Sequence, residues 1–243
     1  MTKLKYLEQQ HLYEDSAEVV DVITLEDGRI AVLLNETIFY PQGGGQACDC
    51  GIIEKDGVVF KVNDTRFVEG IVRHIGEFES GEFKAGDLVN LKIDQERRLL
   101  NSKLHTLGHL IDEVIYDLGY TDWTAGKGYH FPDAPFVEYI AEFPREEIED
   151  LKVKIEEKVN DFILQGFEIK TSIVDYSELN GLCRDVPDYI PRDKSCCVAI
   201  VWDDKGIPCG GTHVKNIKDI GKVSIRKISS KKGKVKVCYE LME

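Results

Sequence analysis

Four side chains from two distant stretches of the chain have the types and spacing of a metal site. His105 and His109 lie four positions apart in a segment whose leucines recur every three or four residues, so both imidazoles are predicted on adjacent turns of one helix. Cys209 and His213 repeat that spacing in IPCGGTHV, where a proline and two glycines predict a turn rather than a helix. Three imidazoles and one thiolate form a borderline-soft donor set, which favours Zn²⁺ over Ca²⁺ or Mg²⁺.

Other interpretations of these residues remain open at the level of sequence. An isolated HxxxH is a weak signal, which on its own favours a pair of exposed surface histidines. Four protein ligands also fill a tetrahedron, so a closed structural zinc site competes with a catalytic one, unless the ion accepts a fifth ligand when substrate arrives. A metalloprotease is not predicted, because HExxH needs a glutamate where this chain has Thr106.

The helix that must carry the two histidines is predicted from Gln95 to Leu118, with Gly119 just beyond its end. At about 100° per residue, His105 and His109 fall on a flank away from the apolar stripe, and we expect neither to be a core residue. The stripe consists of Leu100, Leu104, Leu107, Ile111, Val114 and Leu118.

The remaining patterns predict an α+β protein of two domains. Between residues 16 and 93, short alternating strands separated by turns predict a small N-terminal β-barrel. A second helix is predicted from Pro144 to Leu164, followed by further strand-like segments, so the second domain is expected to be an α/β two-layer unit with the zinc site. We place the domains at residues 1–92 and 93–243.

The segment YPQGGGQ contains three consecutive glycines between apolar stretches. Gly43, Gly44 and Gly45 would allow positive φ or a close approach of the backbone to a ligand, whereas a plain hairpin turn explains the same residues on spacing alone. The segment is not GxGxxG and no helix is predicted after it, so it does not indicate a dinucleotide site.

Charge is distributed unevenly along the chain. The net charge of −13 disfavours nucleic-acid binding, because phosphate contacts need positive surface. The stretch from Lys215 to Lys236, here termed the basic segment, nevertheless contains nine Lys or Arg and one acid. Its apolar and basic residues alternate as in strands with one cationic face, which fits either a plain solvated face or contact with RNA. Because it starts two residues after His213, a polyanion held there would bring its end near the metal.

Composition places the chain in the cytosol. Its 243 residues, 42% of them hydrophobic and 31% charged, suit a folded protein with a substantial core. The polar, charged N-terminus predicts neither a signal peptide nor a membrane span. Seven cysteines are an odd number in a chain of this size, so free thiols and metal ligands are expected rather than a disulfide framework.

Three segments together resemble one known family. FYPQGGGQ is followed by DCG, RRLLNSKLHTLGH opens the predicted helix, and CGGTH comes late in the chain. This combination resembles the AlaX-type alanyl-tRNA editing proteins, the freestanding relatives of the editing domain of alanyl-tRNA synthetase. The resemblance covers nearly the whole chain and implies the form that has an N-terminal barrel before the editing domain.

The resemblance also implies an activity and a partner. It implies Zn²⁺ held by His105, His109, Cys209 and His213, with the segment Gly43–Gln46 near the substrate. The implied reaction is hydrolysis of the ester that joins serine, or glycine as a second substrate, to the 3′ end of the alanine tRNA. A pocket shaped for alanine cannot strongly reject a molecule that adds a hydroxyl or lacks a methyl, so a second site has to remove the wrong products.

One residue departs from the family pattern. The position before the second histidine is usually threonine and is Gly108 here. We therefore assign sensing of the serine hydroxyl to Thr106 and Gln46 as a hypothesis. The departure leaves a deacylase for another mischarged tRNA as one alternative, and a zinc-stabilised RNA-binding module without catalysis is another.

Overall fold

The chain forms two compact units, each with its own apolar core. The computed structural model describes residues 1–188 and 190–242. The first unit contains Met1–Gly43 and Ala47–Leu99, and the second contains Gly44–Gln46 and the chain from Leu100 onward. The division falls inside a helix, and part of the glycine-rich segment groups with the second unit.

The first unit is a closed barrel of six antiparallel strands. The strands of this unit are β1 (Lys3–Leu4), β2 (Glu14–Thr24), β3 (Ile30–Leu34), β4 (Glu36–Thr37), β5 (Gly51–Lys55), β6 (Val58–Val68), β7 (Ile71–Ser80) and β8 (Leu88–Ile93). Around the barrel they follow the order β2-β3-β7-β6-β5-β8, and β1 pairs with β4 in a separate parallel pair. The predicted small N-terminal β-barrel is thus confirmed.

Alternation of apolar and polar residues explains the barrel. In β8, Val89, Leu91 and Ile93 are buried while the residues that alternate with them are exposed. Because side chains alternate across a strand, one face of each strand turns to the barrel interior. Phe60 and Leu34 fill the same core, at 0% and 1% exposure.

A buried ion pair lies in the first unit. The Arg98 guanidinium contacts the Asp49 carboxylate, and their side chains are 1% and 0% exposed. Arg98 also donates to the carbonyl oxygens of Gln10 at 2.7 Å and Ile38 at 2.6 Å. Asp49 accepts from the backbone N–H of Tyr40 at 2.7 Å. The two charges are therefore paired with each other and with backbone groups, as burial requires.

The second unit is an α/β domain. Its elements are α1 (Gln95–Asp117, whose first turn belongs to the first unit), β9 (Thr124–Tyr129), β10 (Phe136–Ile140), α2 (Ile148–Gln165), β11 (Lys170–Val174), α3 (Tyr176–Leu182), β12 (Cys196–Ile200), β13 (Ile207–Pro208), β14 (Val223–Ser230) and β15 (Lys234–Leu241). The larger antiparallel sheet has the order β14-β15-β10-β9 and the smaller one the order β11-β12-β13. Residues of α1, α2 and the inner face of the larger sheet form the apolar core. The predicted α+β class, a barrel followed by an α/β domain, is confirmed.

Helix α1 carries the predicted stripe but is buried on more faces than the stripe implies. The Asp94 carboxylate caps the helix by accepting from the Arg97 N–H at 3.0 Å. The prediction was wrong for Leu100, which is 39% exposed, whereas the other stripe residues are buried or packed against the core. The histidine flank was expected outside the core, yet His105 is only 2% exposed. Hydrogen bonds to the polar side chains of this flank, described below, permit that burial.

The second predicted helix starts later than expected. A short 3₁₀ turn, Arg145–Glu147, follows Pro144, and α2 ends before Gly166, whose φ is +79°. Helix α3 and strands β9 and β10 were not predicted, because they are only 5 to 7 residues long and lack a clear period. Within the described ranges, no helix combines the length and apolarity needed to cross a bilayer.

Candidate metal centre

The four predicted donor residues come together in the second unit. One ligand atom from each of His105, His109, Cys209 and His213, here termed the donor cluster, lies within 4.8 Å of the others. The Cys209 Sγ atom is 3.4 Å from Nε2 of His105 and 3.4 Å from Nε2 of His109. Neighbouring N and S ligands of a tetrahedral Zn²⁺ lie about 3.5 Å apart, given bonds of about 2.0 and 2.3 Å. The donor set and its spacing can therefore hold a metal ion.

Gln46 orients the first histidine of the cluster. The Thr212 backbone N–H donates to Gln46 Oε1 at 3.0 Å, which identifies that atom as the amide oxygen. His105 Nδ1 lies 2.6 Å from the same oxygen, so Nδ1 carries the proton and the lone pair of Nε2 is available to a metal. An outer hydrogen bond of this kind fixes the tautomer and the ring orientation of a metal-binding histidine.

Thr106 acts in the same way on His213. The Thr106 hydroxyl donates to the Ser102 carbonyl at 2.7 Å, so its oxygen is left as an acceptor. That oxygen accepts from the Val214 N–H at 3.3 Å and lies 3.2 Å from His213 Nδ1. Nδ1 of His213 is therefore the protonated nitrogen, and Nε2 is the atom that can bind a metal.

Asp112 directs an oxygen towards Nδ1 of His109, as Gln46 and Thr106 do for the other two histidines. Its Oδ2 atom is 3.6 Å from Nδ1 of His109, and its Oδ1 atom accepts from the Tyr139 hydroxyl at 2.6 Å. All three histidines thus direct Nδ1 towards an oxygen. Asp112 was not predicted in this role, although its spacing of three from His109 on a helix was a usable signal. Thr212 was not predicted either, and its only signal in the sequence is its place in CGGTH.

The turn that carries Cys209 depends on a glycine. A Cβ atom at Gly211 would overlap the His105 ring and lie 3.0 Å from Gln46 Oε1, so no larger residue fits without displacing the imidazole. The Gly211 N–H donates to Cys209 Sγ at 3.3 Å, which favours the thiolate. The glycine thus places the backbone against one donor residue while its N–H contacts another.

The cluster shifts the pKa values of its members in opposite directions. Burial alone would raise the pKa of the Cys209 thiol, but the imidazoles of His105 and His109 hold it well below its ordinary value. Burial alone would lower the pKa of His109, but the Cys209 charge and the Asp112 carboxylate raise it to about 10. Burial lowers the pKa of His213 to about 4. Cys209 is therefore held as the thiolate, the form that binds a metal.

Two of the four donor residues are accessible to solvent. His105 and His213 are only 2% and 1% exposed. The His109 side chain is 13% exposed, and Cys209 is half-buried. Within the donor cluster, solvent exposure is therefore confined to His109 and Cys209.

Comparison with known proteins identifies the family. The alanyl-tRNA editing protein AlaX-M of Pyrococcus horikoshii is 33% identical over 232 residues, which cover 95% of this chain and 93% of that protein. This chain belongs to the AlaX family of alanyl-tRNA editing proteins. The resemblance carried by the three sequence segments is thereby confirmed.

Two longer proteins match this chain over only part of their own length. AlaX-L of Pyrococcus horikoshii is 30% identical over 236 residues, which cover 95% of this chain and 55% of AlaX-L. The alanine-tRNA ligase of Clostridioides difficile is 30% identical over 201 residues, which cover 82% of this chain and 23% of the ligase. The chain thus spans about half the length of AlaX-L and about a quarter of the ligase.

Two family models match separate parts of the chain. The model for class II (A) tRNA synthetases matches residues 4–97, which contain the barrel. The model for the second additional domain of threonyl- and alanyl-tRNA synthetases matches residues 207–236. The second match contains Cys209 and His213 together with the whole basic segment.

His130 explains Gly108, the residue at which this chain departs from the AlaX pattern. A Cβ atom at Gly108 would lie only 2.6 Å from Nδ1 of His130 and 3.1 Å from the Tyr239 hydroxyl. The His130 ring fills this space and stacks on His105, with centroids 4.8 Å apart and planes at 13°. The Tyr239 hydroxyl lies 2.5 Å from His130 Nδ1 and donates to the Leu104 carbonyl at 3.1 Å. Burial and the neighbouring imidazoles lower the pKa of His130 to about 2, so the ring is neutral. No motif in the sequence indicated His130.

The three glycines predicted near the substrate differ in their surroundings. Gly43 and Gly44 are exposed, and Gly45 is half-buried. Gly44 and Gly45 have φ values of +51° and +77°, and a Cβ atom at Gly45 would lie 3.0 Å from the carbonyl carbon of Gly128. The Gly45 carbonyl also accepts from the His130 N–H at 2.8 Å. The close approach of Gly45 is thus to another stretch of backbone, and contact between these glycines and a substrate stays a prediction.

Proposed function

We propose that this AlaX-family chain is a zinc-dependent hydrolase that removes serine, with glycine as a second substrate, from mischarged alanine tRNA. Membership of the family supports the substrate class. The observation that carries the proposal is the asymmetry of the donor cluster. His105 and His213 are buried, whereas His109 and Cys209 are partly exposed. A substrate ester needs access to the ion from solvent, whereas a purely structural ion does not.

The donor set supports zinc as the ion. Three imidazoles and a thiolate match the borderline and soft ligands that Zn²⁺ takes in proteins. When bound, Zn²⁺ supplies an electrophile for the ester carbonyl, and since the thiolate offsets part of its charge, we favour substrate positioning over ionisation of a water. Gln46 and Thr106 contribute orientation, because they fix the tautomers of two of the three imidazoles.

Sensing of the serine hydroxyl by Thr106 and Gln46 stays a prediction. Both side chains are fully buried and hydrogen-bonded to His213 and His105, respectively. Thr106→Val separates the two roles. A changed ratio of the rates on Ser-tRNA and Gly-tRNA would support sensing, whereas an equal loss on both would support orientation of His213 alone.

The basic segment supplies the tRNA-binding surface in this proposal. In β15, Val235 and Val237 are fully buried, while Lys234 is exposed and Lys236 half-buried. A cationic face of this kind can neutralise phosphates. We place the reaction in the cytosol, where a protein whose seven cysteines are all free keeps its thiols reduced.

A zinc-stabilised RNA-binding module without catalysis is the second candidate. It is favoured by the number of protein donors, since four of them complete a tetrahedron, as in structural zinc sites. Both functions require zinc and RNA binding, so only turnover distinguishes them. A deacylase for another mischarged tRNA is the third candidate, because His130 takes the space beside Gly108.

A panel of misacylated tRNAs tests these candidates. Protein of measured zinc content is mixed with alanine tRNA charged with serine, glycine or alanine, and with other mischarged tRNAs. We expect Ser-tRNA to be deacylated fastest, and Cys209→Ala to slow that reaction by at least about 100-fold. Cys50→Ala is the matched control, since Cys50 is a half-buried thiol of the first unit outside the donor cluster.

Each outcome selects one candidate. Stoichiometric zinc and salt-sensitive RNA binding without turnover on any tRNA would overturn the hydrolase and support the binding module. Turnover confined to a tRNA that does not accept alanine would support the third candidate. Equal rates for Cys209→Ala and Cys50→Ala would remove the donor cluster from the reaction.

A further inference from the structure

The outer face of the larger sheet carries a row of aromatic and basic side chains. Strand pairing places Phe136 of β10 opposite Tyr129 of β9 on one side and Cys238 of β15 on the other. Lys227 of β14 is paired with Cys238 in turn. Val137, the neighbour of Phe136 in sequence, is buried in the apolar core. Because side chains alternate across a strand, Phe136 and its paired residues project from the opposite face of the sheet.

Three aromatic rings form a stack on this outer face. The centroids of Tyr129 and Phe131 are 4.5 Å apart with planes at 14°, and those of Tyr129 and Phe136 are 5.6 Å apart with planes at 22°. All three residues are half-buried and lie outside the core cluster of this unit. The Tyr129 hydroxyl donates to Asp133 Oδ1 at 3.2 Å, which fixes one ring. The stack therefore presents preorganised aromatic surface that the apolar core does not use.

Basic side chains accompany the stack. The Lys236 Nζ atom lies 3.3 Å from the centroid of the Phe136 ring, a cation–π contact. The one acid that pairs with Lys236 across the strands is Glu138, and its carboxylate forms an ion pair with Lys234 at 2.6 Å. The Glu138 carboxylate is thus offset by Lys234, while the Asp133 carboxylate accepts from Tyr129, so the positive charge of this surface lies on its Phe136–Lys236 side.

Aromatic faces next to ammonium groups suit unpaired nucleotides. Every base has a face that can stack on an aromatic ring, while the cations contact the phosphates. Bases within a duplex are already stacked on each other and are less available to such rings. We propose that Tyr129, Phe131, Phe136 and Lys236 form a stacking platform for the unpaired nucleotides at the 3′ end of tRNA. This inference rests on the proposed function, whose substrate carries its ester at that end.

One short segment joins the stacking platform to the donor cluster. His130 lies between Tyr129 and Phe131 in sequence, and its ring turns to the interior and stacks on His105. Its N–H also donates to the Gly45 carbonyl at 2.8 Å. Successive Cα atoms are only about 3.8 Å apart. A nucleotide stacked on the outer rings is thus held close to residues that contact a candidate metal ligand.

Binding of short RNA probes tests the stacking platform. The probes are a fluorescent single-stranded hexanucleotide ending in CCA and a blunt RNA duplex, and affinity is measured by anisotropy with the full-length protein. We expect the double variant Tyr129→Leu/Phe136→Leu to bind the single strand at least about 10-fold more weakly and the duplex unchanged. Lys236→Gln is expected to reduce the salt dependence of single-strand binding by about one ion.

Two variants serve as controls. Tyr129→Phe keeps the ring and should retain most of the single-strand affinity that Tyr129→Leu/Phe136→Leu loses, even though its hydroxyl is lost. Phe67→Leu removes a 49% exposed aromatic residue of the first unit and should have no effect on either probe. If the double variant unfolds, which its thermal midpoint reveals, the single variants Phe131→Leu and Lys236→Gln carry the test.

The results separate this inference from the proposed function. Unchanged single-strand affinity in the ring variants, with normal deacylation and normal KM for tRNA, would overturn the stacking platform and leave the hydrolase intact. Weaker single-strand binding together with no turnover on any tRNA would support the platform while the hydrolase fails. Equal losses on the single strand and the duplex would also overturn the platform, because stacking requires unpaired bases.

Discussion

The two units of the protein each bury a polar cluster, and the two clusters are built in different ways. In the first unit, the charges of Arg98 and Asp49 pair with each other, and backbone groups take up further hydrogen bonds. In the second unit, neutral oxygens of Gln46 and Thr106 engage the outer nitrogens of two histidines. The other nitrogens and the Cys209 sulfur converge on one another.

The difference separates a self-sufficient cluster from one built for a ligand. The Arg98–Asp49 ion pair, together with its hydrogen bonds to backbone groups, is satisfied within the protein and needs no added ligand. Three imidazoles and a thiolate instead bring several lone pairs together. A bound cation can accept all of these lone pairs, whereas the four side chains cannot satisfy them among themselves. We therefore expect damage to the first cluster to appear in stability, and damage to the second to appear in metal binding and catalysis.

The largest expected effect is on the stability that the buried Arg98–Asp49 ion pair provides. Arg98→Ala leaves the buried Asp49 carboxylate without its cation and should lower the free energy of unfolding by about 3–5 kcal/mol, measured by urea denaturation. Arg66→Ala is the matched control, since Arg66 pairs with Asp64 at 42% exposure and should change stability by less than about 1 kcal/mol. Equal losses of stability in the two variants would contradict the claim that the buried pair contributes more than the exposed one.

A histidine of the first unit predicts an acid-dependent loss of stability. His74 is fully buried between the Thr37 hydroxyl, 2.8 Å from Nε2, and the Val32 carbonyl, 2.9 Å from Nδ1. Burial lowers its pKa from 6.5 to about 4. Between these two pH values the unfolded chain binds a proton that the native state excludes, so stability falls as pH falls through this range. The contribution of neutral His74 to the free energy of unfolding should be fully present above about pH 6.5. By pH 4 it should have fallen by about 3 kcal/mol.

Comparison with His74→Gln isolates this contribution from those of the carboxylates. Unfolding by urea is followed at several pH values for both proteins. The variant should lack the part of the slope between pH 6.5 and 4 that belongs to His74. Identical slopes for the two proteins would mean that folding does not lower the pKa of His74.

Whether Gly108→Ala raises or lowers the stability of the protein tests the packing beside the donor cluster. Helix propensity alone predicts a gain of about 1 kcal/mol when an interior glycine becomes alanine. The new Cβ atom would instead collide with the His130 ring, so we expect a loss of about 1–3 kcal/mol. Gly181→Ala in α3 is the control, since nothing lies within 4 Å of its added Cβ atom and stability should rise.

A second substitution checks the cause of that loss. His130→Ala empties the space beside Gly108, so the double variant Gly108→Ala/His130→Ala should lose less stability than the two single losses combined. Strict additivity in urea denaturation would show that the residues do not compete for space.

The last expected effect is on metal affinity rather than on stability. Gln46→Leu removes the oxygen that fixes the His105 tautomer and should weaken Zn²⁺ binding by about 10–100-fold, measured by competition with a chelator. Gln42→Leu is the control, because Gln42 is exposed and precedes the same three glycines. Equal affinities for the two variants would show that Gln46 is not needed to orient His105.

The sequence predicted the elements and the donors but not the contacts between them. Period-two alternation was sufficient for the barrel, and the leucine period was sufficient for α1. The four donors were found because HxxxH and CGGTH are local patterns. Gln46 was placed near the substrate, but its hydrogen bond to His105 spans 59 positions and leaves no periodic trace. Leu100 fitted the stripe but is exposed, since a helical period does not show where packing ends.

His130 shows most clearly why a local pattern was insufficient. A single histidine in GYHFPD has no metal-site spacing, and its burial depends on Gly108, Gly45 and Tyr239, which lie far apart in the sequence. The absence of a side chain at Gly108 could be seen in the sequence, but the ring that replaces it could be found only from the fold.

The grouping of Gly44–Gln46 with the second unit links the inheritance of the two parts of the chain. A gene fragment that starts at codon 93 would encode His105, His109, Cys209 and His213 but not the amide that fixes one of them. Recombination that moved this half alone into another protein would transmit the four metal ligands without the amide that aligns His105. The two halves therefore give the tighter metal site only when they are inherited together.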